Sequence, residues 1–392
     1  MMTREQVRAL RMHALGLDSP RMSSVDEVVT WFGAMQAQDL ASGLWSLGMR
    51  LAPGQPRGVA DVRAALERGE ALRTWPMRGT IHLVPSRDAR WMLDLMGAKP
   101  LAGAPKRRAY LGLTDEDAER ALAVLREALA GRRLTRTQCV EALSEAGVPT
   151  SSQRAYHLLW FAAQSGVTCI AADVDGEQAF ALLGEWAPEQ VEFDRDTALA
   201  TIAGRYFRSH GPATVKDFSR WTGLGMRECR AGIEAASSGG ARADERSVEL
   251  HSIELRSIDT EDGPMVVAAH TLDADPIEAS VWTIPPGFDE YMLGYGDRSG
   301  FVTEQGFARV VPGKNGVFRS TLVREGSVIG TWKRTEQASG VSVAIEPFAP
   351  HELAADAEGS FALSTTERDE VERQFARYGE FLGQPLTVTW AE

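Results

Sequence analysis

Cysteine is scarce in this chain. Cys139, Cys169 and Cys229 are the only three among 392 residues, far apart and odd in number. That excludes a disulfide framework, argues against a Cys-based zinc site and fits a reducing compartment. Long hydrophobic runs are missing too. No eighteen consecutive residues are apolar, so no helix is expected to span a bilayer. The first residues, MMTREQVRAL, carry charge where a secretory signal would be apolar. A cytoplasmic location follows from these readings. Histidine numbers seven, dispersed without metal-ligand spacing. There is no GxxxxGK[ST], no GxGxxG after a strand, no HExxH and no GxSxG. The expectation is therefore no metal, no nucleotide cofactor and no nucleophile elbow, with any chemistry left to ordinary side chains.

Basic residues are outnumbered, 42 Lys+Arg against 54 Asp+Glu, for a net charge of −12. They are unevenly placed. Residues 1–110 hold 16 Lys+Arg and 10 Asp+Glu, so the first quarter is basic and the rest strongly acidic. A basic face on an acidic body points to nucleic acid more than bulk charge would. At this length the chain makes two to four compact units.

Helix starts recur in a rhythm. Thr3-x-x-Gln6 and Ser24-x-x-Glu27 are capping patterns, and Val25, Val28, Val29, Phe32 and Met35 form an apolar stripe at helical spacing. A third helix over about 59–68 stops at Gly69. LRTWPMRGTIHLV then reads as two strands around Pro76-Met77-Arg78-Gly79. Helices followed by a hairpin are the order of a winged helix. The order returns with Thr114, Thr135-x-x-Gln138 and RAYHLLWFAAQS, then two apolar runs about Asp175-Gly176, a strong hairpin signal. It returns again from about Asp196, through Thr214-x-x-Asp217 and GMRECRAGIEAAS to SVELHSIELRSI and PMVVAAH. After about Asp275 short β-type runs take over: RVVPG, GVFRSTLV, VIGTWKR and VSVAIEPF, then one helix over 366–381 and LTVTW. The expected fold is α+β: three tandem winged-helix units over 1–100, 101–190 and 191–274, then a small antiparallel β-barrel over 275–392.

Candidate site residues cluster in the basic quarter. Gln36 and Gln38 flank Ala37 where the second helix should end. On an extended segment, residues two apart face the same side. On spacing alone a solvent-facing pair is the plainer reading. In the wing-like segment Arg73, Arg78 and His82 are placed to meet phosphates, with Trp75 and Ile81 expected inward and Arg78 outward. Lys106-Arg107-Arg108 is a second basic run, and Arg298 a further cation. Trp160-Phe161 and Trp221 fall at helical core spacing. Asp289 and Glu290 are adjacent and so are not expected to converge; structure is the favoured reading there.

The segments AMQAQD, RTWPMRGTIHLV, YHLLWFAAQSG, YFRSHGPATVKDFSRWTGL and PPGFDEYMLGYGDRS together resemble the winged-helix DNA-binding-domain family that contains the bacterial DNA glycosylases of the azinomycin-resistance (AlkZ-like) type. The resemblance runs from about residue 31 to 299. It implies three winged helices and a C-terminal barrel lining a concave DNA-binding surface. It also implies a catalytic Gln-aliphatic-Gln motif at Gln36, Ala37 and Gln38, with Ala the smallest aliphatic choice, and Asp39 nearby to assist through water. The implied activity is DNA repair by hydrolysis of the N-glycosidic bond of N7-alkylated, cationic purines, the alkylation damage ranging up to bulky natural-product adducts and interstrand crosslinks, as in antibiotic self-resistance. The implied partner is duplex DNA, met by a monomer. The competing reading is a non-catalytic winged-helix DNA-binding protein or regulator; a third is a protein-interaction scaffold, which would show no salt-sensitive affinity for DNA.

Overall fold

In the computed structural model, residues 1–52, 58–238, 253–274, 281–338, 340–353 and 363–391 are described. The first stretch holds α1 (Arg4–Ala14), α2 (Val25–Phe32), β1 (Met35–Gln36), α3 (Leu40–Gly48), α4 (Val59–Glu67) and the hairpin β2 (Ala71–Met77) and β3 (Thr80–Pro85). Thr3 and Ser24 cap α1 and α2 by accepting the Gln6 and Glu27 amides. The helix α3 was not expected from the pattern. Its residues Gly43–Gly48 are all buried, so no one-sided stripe marks it.

Three helices, α5 (Ala89–Met96), α6 (Ala98–Ala102) and α7 (Ala104–Tyr110), lead to α8 (Asp115–Ala128), β4 (Leu134–Thr135), α9 (Arg136–Glu145) and α10 (Arg154–Gln164). The strands β5 (Thr168–Ile170) and β6 (Ala179–Leu182) follow, then α11 (Leu183–Trp186). Asp175 and Gly176 turn with φ of 51° and 81°, the two positive angles that a tight primed turn demands. The helix-hairpin order then appears a third time in α12 (Arg195–His210), α13 (Val215–Thr222), α14 (Met226–Ser237), β7 (Leu255–Thr260) and β8 (Gly263–Ala268), closed by α15 (Ala269–Leu272). The first half of the strand expected at SVELHSIELRSI, and the boundary expected near 275, lie outside the described residues.

The units share both a sheet and a core. Among the described residues the first two hairpins form one six-stranded sheet, in the order β1-β3-β2-β5-β6-β4, joined where Arg73 pairs with Ile170. Trp75 and Ile81 of the first hairpin are buried in the core of the second unit, among Leu125, Leu158 and Phe180. A larger core runs continuously through the first, third and last parts of the chain. Its axis is α12, buried at every position from Ala198 to His210.

The last part holds β9 (Trp282–Thr283), α16 (Glu290–Leu293), α17 (Glu304–Val310), β10 (Ser320–Arg324), β11 (Ser327–Gln337), β12 (Gly340–Pro347), α18 (Thr365–Leu382) and β13 (Leu386–Trp390). The expected antiparallel barrel is instead a curled half-barrel of five described strands, β13-β12-β11-β10-β9. The strand β13 joins β12 in parallel, because the chain returns through α18, and a crossover of that kind brings a strand back in the same direction. RVVPG, expected as a strand, instead spans the end of α17: Thr303 accepts the Gly306 amide and starts a helix that carries Arg309 and Val310. Among the described residues no helix is long and apolar enough to cross a membrane.

Candidate active site

The site begins where α2 stops. Gly33 takes φ 81°, its N–H closing on the Val29 carbonyl, and the chain leaves the helix extended. In β1, Met35 pairs with Leu83 and Gln36 with His82. Alternation does the rest. Met35 and Ala37 are buried, whereas Gln36 is half-buried and Gln38 exposed, so the two glutamines share a side of the strand. The Ala37 N–H bonds the Ile81 carbonyl at 2.9 Å. A Cβ added at Gly43 would stand 3.2 Å from the Ala37 Cβ, so the small residue between the glutamines matches a close approach of α3.

Each glutamine is tied down differently. The Gln38 Oε1 accepts the Ile81 N–H at 3.3 Å. The Gln36 backbone N–H donates to Glu290 Oε1 at 2.9 Å, while the Gln36 Oε1 is buried with no hydrogen-bond partner among the described residues. Asp39 is occupied in capping α3, its Oδ2 accepting the Ser42 amide and hydroxyl at 3.2 and 2.6 Å.

Beneath the strand lies a buried carboxylate. Glu290 opens α16, and its Oε2 accepts Trp221 Nε1–H at 2.9 Å and sits 3.3 Å from His210 Nε2. Ser209 Oγ is 2.8 Å from the other ring nitrogen of His210. Burial pushes the Glu290 carboxyl upward, but the His210 ring, the Gln36 amide and His82 outweigh it and hold the pKa near 2. Its neighbour Asp289 turns the other way. It meets Arg50 with both oxygens, at 2.9 and 3.0 Å, in a pair fully shielded from solvent.

His82 is buried opposite Gln36. Its Nδ1–H donates to the Thr80 carbonyl at 2.8 Å, and Nε2 faces the Arg78 guanidinium at 3.5 Å. Burial and the Arg78 charge push its pKa down to about 4, so the ring is neutral at pH 7. Arg78 itself is exposed at the hairpin tip, with φ 55°, its Cγ 3.8 Å from where a Cβ on Gly223 would lie.

His157 is held near 4 as well, by burial and then by Arg108 and Arg107. Both folded-state values lie below the ordinary 6.5. Above pH 6.5 the native and unfolded chains are both neutral at these rings, and their contribution is complete. As pH falls from 6.5 to 4 the unfolded chain takes up protons that the native one refuses; His82 then costs about 3 kcal/mol of stability, and His157, less deeply screened from solvent, a smaller amount. Urea midpoints at pH 7 and pH 4.5 should therefore fall less in His157→Gln than in wild type. An equal fall in both would show that the ring is not neutral in the folded protein.

A sequence profile of the AlkZ-like DNA glycosylases matches residues 29–381. The chain belongs to the AlkZ-like DNA glycosylase family. A curated relative from Streptomyces sahachiroi, named an interstrand DNA cross-link repair glycosylase, is 25% identical over 348 residues, covering 85% of this chain and 88% of its own. The solved structure of the Streptomyces sahachiroi DNA glycosylase AlkZ superposes with a TM-score of 0.76 at 22% identity, over 99% of this chain and 100% of that one, a likeness of fold.

In this AlkZ-like chain the cations expected at phosphates divide into two groups. Arg78, Lys106 and Arg107 are exposed. Arg73 is turned inward onto Asp173 at 2.6 Å, Arg108 is buried on Asp115 at 2.7 Å, and His82 is enclosed as described. Arg298 is half-buried, its guanidinium donating to the Met292 and Gly296 carbonyls at 2.6 and 3.2 Å above Phe307 and Phe318. Burial, then Arg220, lowers its pKa to about 10. Trp75, Met77 and Trp221 are core; Trp221 follows its helical spacing, whereas β2 is buried at every position and shows no alternation.

Sequence reasoning missed Glu290, His210 and Trp221 as neighbours of the AlkZ-like motif, and missed the exposed Arg220 on α13. Glu290 is 254 positions from Gln36, and nothing local marks the meeting. One signal was available: an acidic residue inside an apolar aromatic run, FDEYMLGY, asks for a buried partner.

Proposed function

We propose that the chain hydrolyses the N-glycosidic bond of N7-alkylated, cationic purines in duplex DNA. Gln36 and Gln38 are the catalytic pair, and Arg78, Lys106, Arg107 and the newly located Arg220 hold the phosphates. The observation that carries this reading is the pair of amides on one extended segment, with a Gln36 oxygen left unsatisfied. Arg73, His82, Arg108 and Arg298 are assigned to packing, given their internal partners. The helix-hairpin units over 1–100, 101–190 and 191–274 serve as winged helices, with the half-barrel of 275–392 completing a concave surface on a cytoplasmic monomer. The name of the Streptomyces relative supports extension of the substrate range to crosslinked purines.

The chemistry suits neutral groups. Alkylation at N7 gives the purine a positive charge, so it leaves with the electron pair of the C1′–N9 bond as a neutral base and needs no general acid. The remaining task is to place a water and to stabilise a cationic sugar. An amide oxygen has two lone pairs: on Gln38 one accepts the Ile81 N–H, and on Gln36 neither meets a donor among the described residues. The water adds to C1′ and its surplus proton passes to solvent. Glu290 supports the arrangement from below by fixing the Gln36 amide and setting a negative charge beneath the developing positive one.

The test is release of N7-methylguanine from methylated duplex DNA by the purified full chain. Release without strand cleavage supports a monofunctional glycosylase. Salt-sensitive binding with no release would leave the non-catalytic regulator.

A further inference from the structure

Beside Gly79 at the hairpin tip lies a cavity of about 640 Å³, between α7 and the first half of α10. Gly79 closes one wall, Arg107 and Arg136 stand at its edge, and Gln153, Tyr156 and Trp160 line it. Its make-up differs from the chain around it. Tyr156 is 43% exposed, and nearby Tyr110 78%, an unusual display of aromatic surface in a folded protein. Trp160 is half-buried and stacks with His157 at 5.4 Å between ring centroids. The His157 ring is 4% exposed, and its Nε2 has no hydrogen-bond partner among the described residues. Among the described residues no carboxylate lines the cavity. The Arg136 guanidinium lies 5.9 Å over the Tyr156 ring, and Arg107 donates to Gln153; neither arginine is ion-paired among the described residues. In an acidic protein this is a local positive pocket with a π-face inside it.

Resting on the DNA reading above, we propose that this cavity is a second recognition site. It receives one planar aromatic group of the bound strand, stacked on Tyr156, with the adjoining phosphate held by Arg107 and Arg136. Stacking on an aromatic ring is tolerant of base identity, and a flanking guanidinium adds a phosphate contact. A bare phosphate site would not need the exposed rings, and a purely apolar ligand would not need two arginines that no described carboxylate neutralises. The planar group has two chemical sources, an extrahelical base or the aromatic ring of a large adduct. Neither Gln36 nor Gln38 lines the cavity, so the site contributes to choice of lesion and not to bond breaking.

Fluorescence anisotropy on three duplexes of one sequence tests this: fully paired, carrying a single unpaired adenine, and carrying a 2′-fluoro-stabilised N7-benzylguanine. Wild type should bind the second or the third at least fivefold tighter than the first; the duplex preferred identifies the source. Tyr156→Ala should abolish that preference and Tyr156→Phe keep it, while Arg107→Ala/Arg136→Ala weakens all three and flattens the salt dependence. The proposal is overturned if wild type shows no preference, or if Tyr156→Ala weakens all three equally. Release of N7-methylguanine by Tyr156→Ala, expected at the wild-type rate, reports separately on the catalytic reading.

Discussion

Replacing Gln38 by alanine should lower the rate constant for release of N7-methylguanine by about 10²–10³-fold, the scale of losing one preorganised polar group from a reaction centre. KM should change little, because the phosphate contacts proposed for Arg78 and Arg220 are untouched. Gln38 is exposed and makes one hydrogen bond at 3.3 Å, so the melting temperature should hold within a few degrees. Gln36→Ala should act similarly. The double variant should be scarcely worse than the poorer single one, since groups that position one water act as a unit. Glu290→Gln is the informative companion. It keeps the shape, removes the charge and sets an amide N–H against a donor, Trp221 Nε1 or the Gln36 amide. It should therefore reduce the rate at every pH tested. Full activity in Gln36→Ala/Gln38→Ala, measured in single turnover, would end the assignment of catalysis to this pair.

Arg50→Ala should cost about 3–5 kcal/mol of stability, the range for removing one partner of a buried ion pair. Arg50 is 0% exposed, its Nε donates to the Leu15 carbonyl at 2.8 Å, Nη1 donates to the Ser46 carbonyl at 2.7 Å, and its guanidinium lies 4.9 Å over Phe32. Truncation leaves the enclosed Asp289 carboxylate without its cation, with Ser46 Oγ and the Tyr291 amide its remaining partners among the described residues. Denaturant unfolding reads the loss directly. Activity should fall as well, beyond what the unfolded fraction explains, because Asp289 is joined to Glu290 and fixes where α16 begins. A loss below about 1 kcal/mol would mean that water reaches the pair.

What was legible in the sequence was local. Thr3, Ser24, Thr135 and Thr214 announced their helices because each capping partner sits three residues on. The Asp175-Gly176 hairpin was equally plain. The helix α2 stops earlier than its apolar stripe suggests: the stripe runs on to Met35, but α2 ends at Phe32 and Met35 already lies in β1 beside Gln36. What was hidden depended on distance along the chain or on burial all round. The helix α3 is enclosed on too many sides to show a period. Arg73 reads as a free cation until Asp173, a hundred positions away, is folded against it. Asp289 and Glu290, correctly read as diverging, reach two remote elements, and only the fold shows that one of them reaches the motif.

The pairing of Arg73 with Ile170, which fuses the first two hairpins into one sheet, has a mechanical consequence. Strands that share a ladder cannot swing apart without breaking it, and Trp75 and Ile81 are anchored in the neighbouring core. The two lobes that flank the Arg78 loop thus form an anvil, not a jaw. Under the proposed function, a damaged helix brought to the glutamines would be the softer body and take the deformation, and the energy needed to flex the nucleic acid would become part of how sound and injured sequences are told apart.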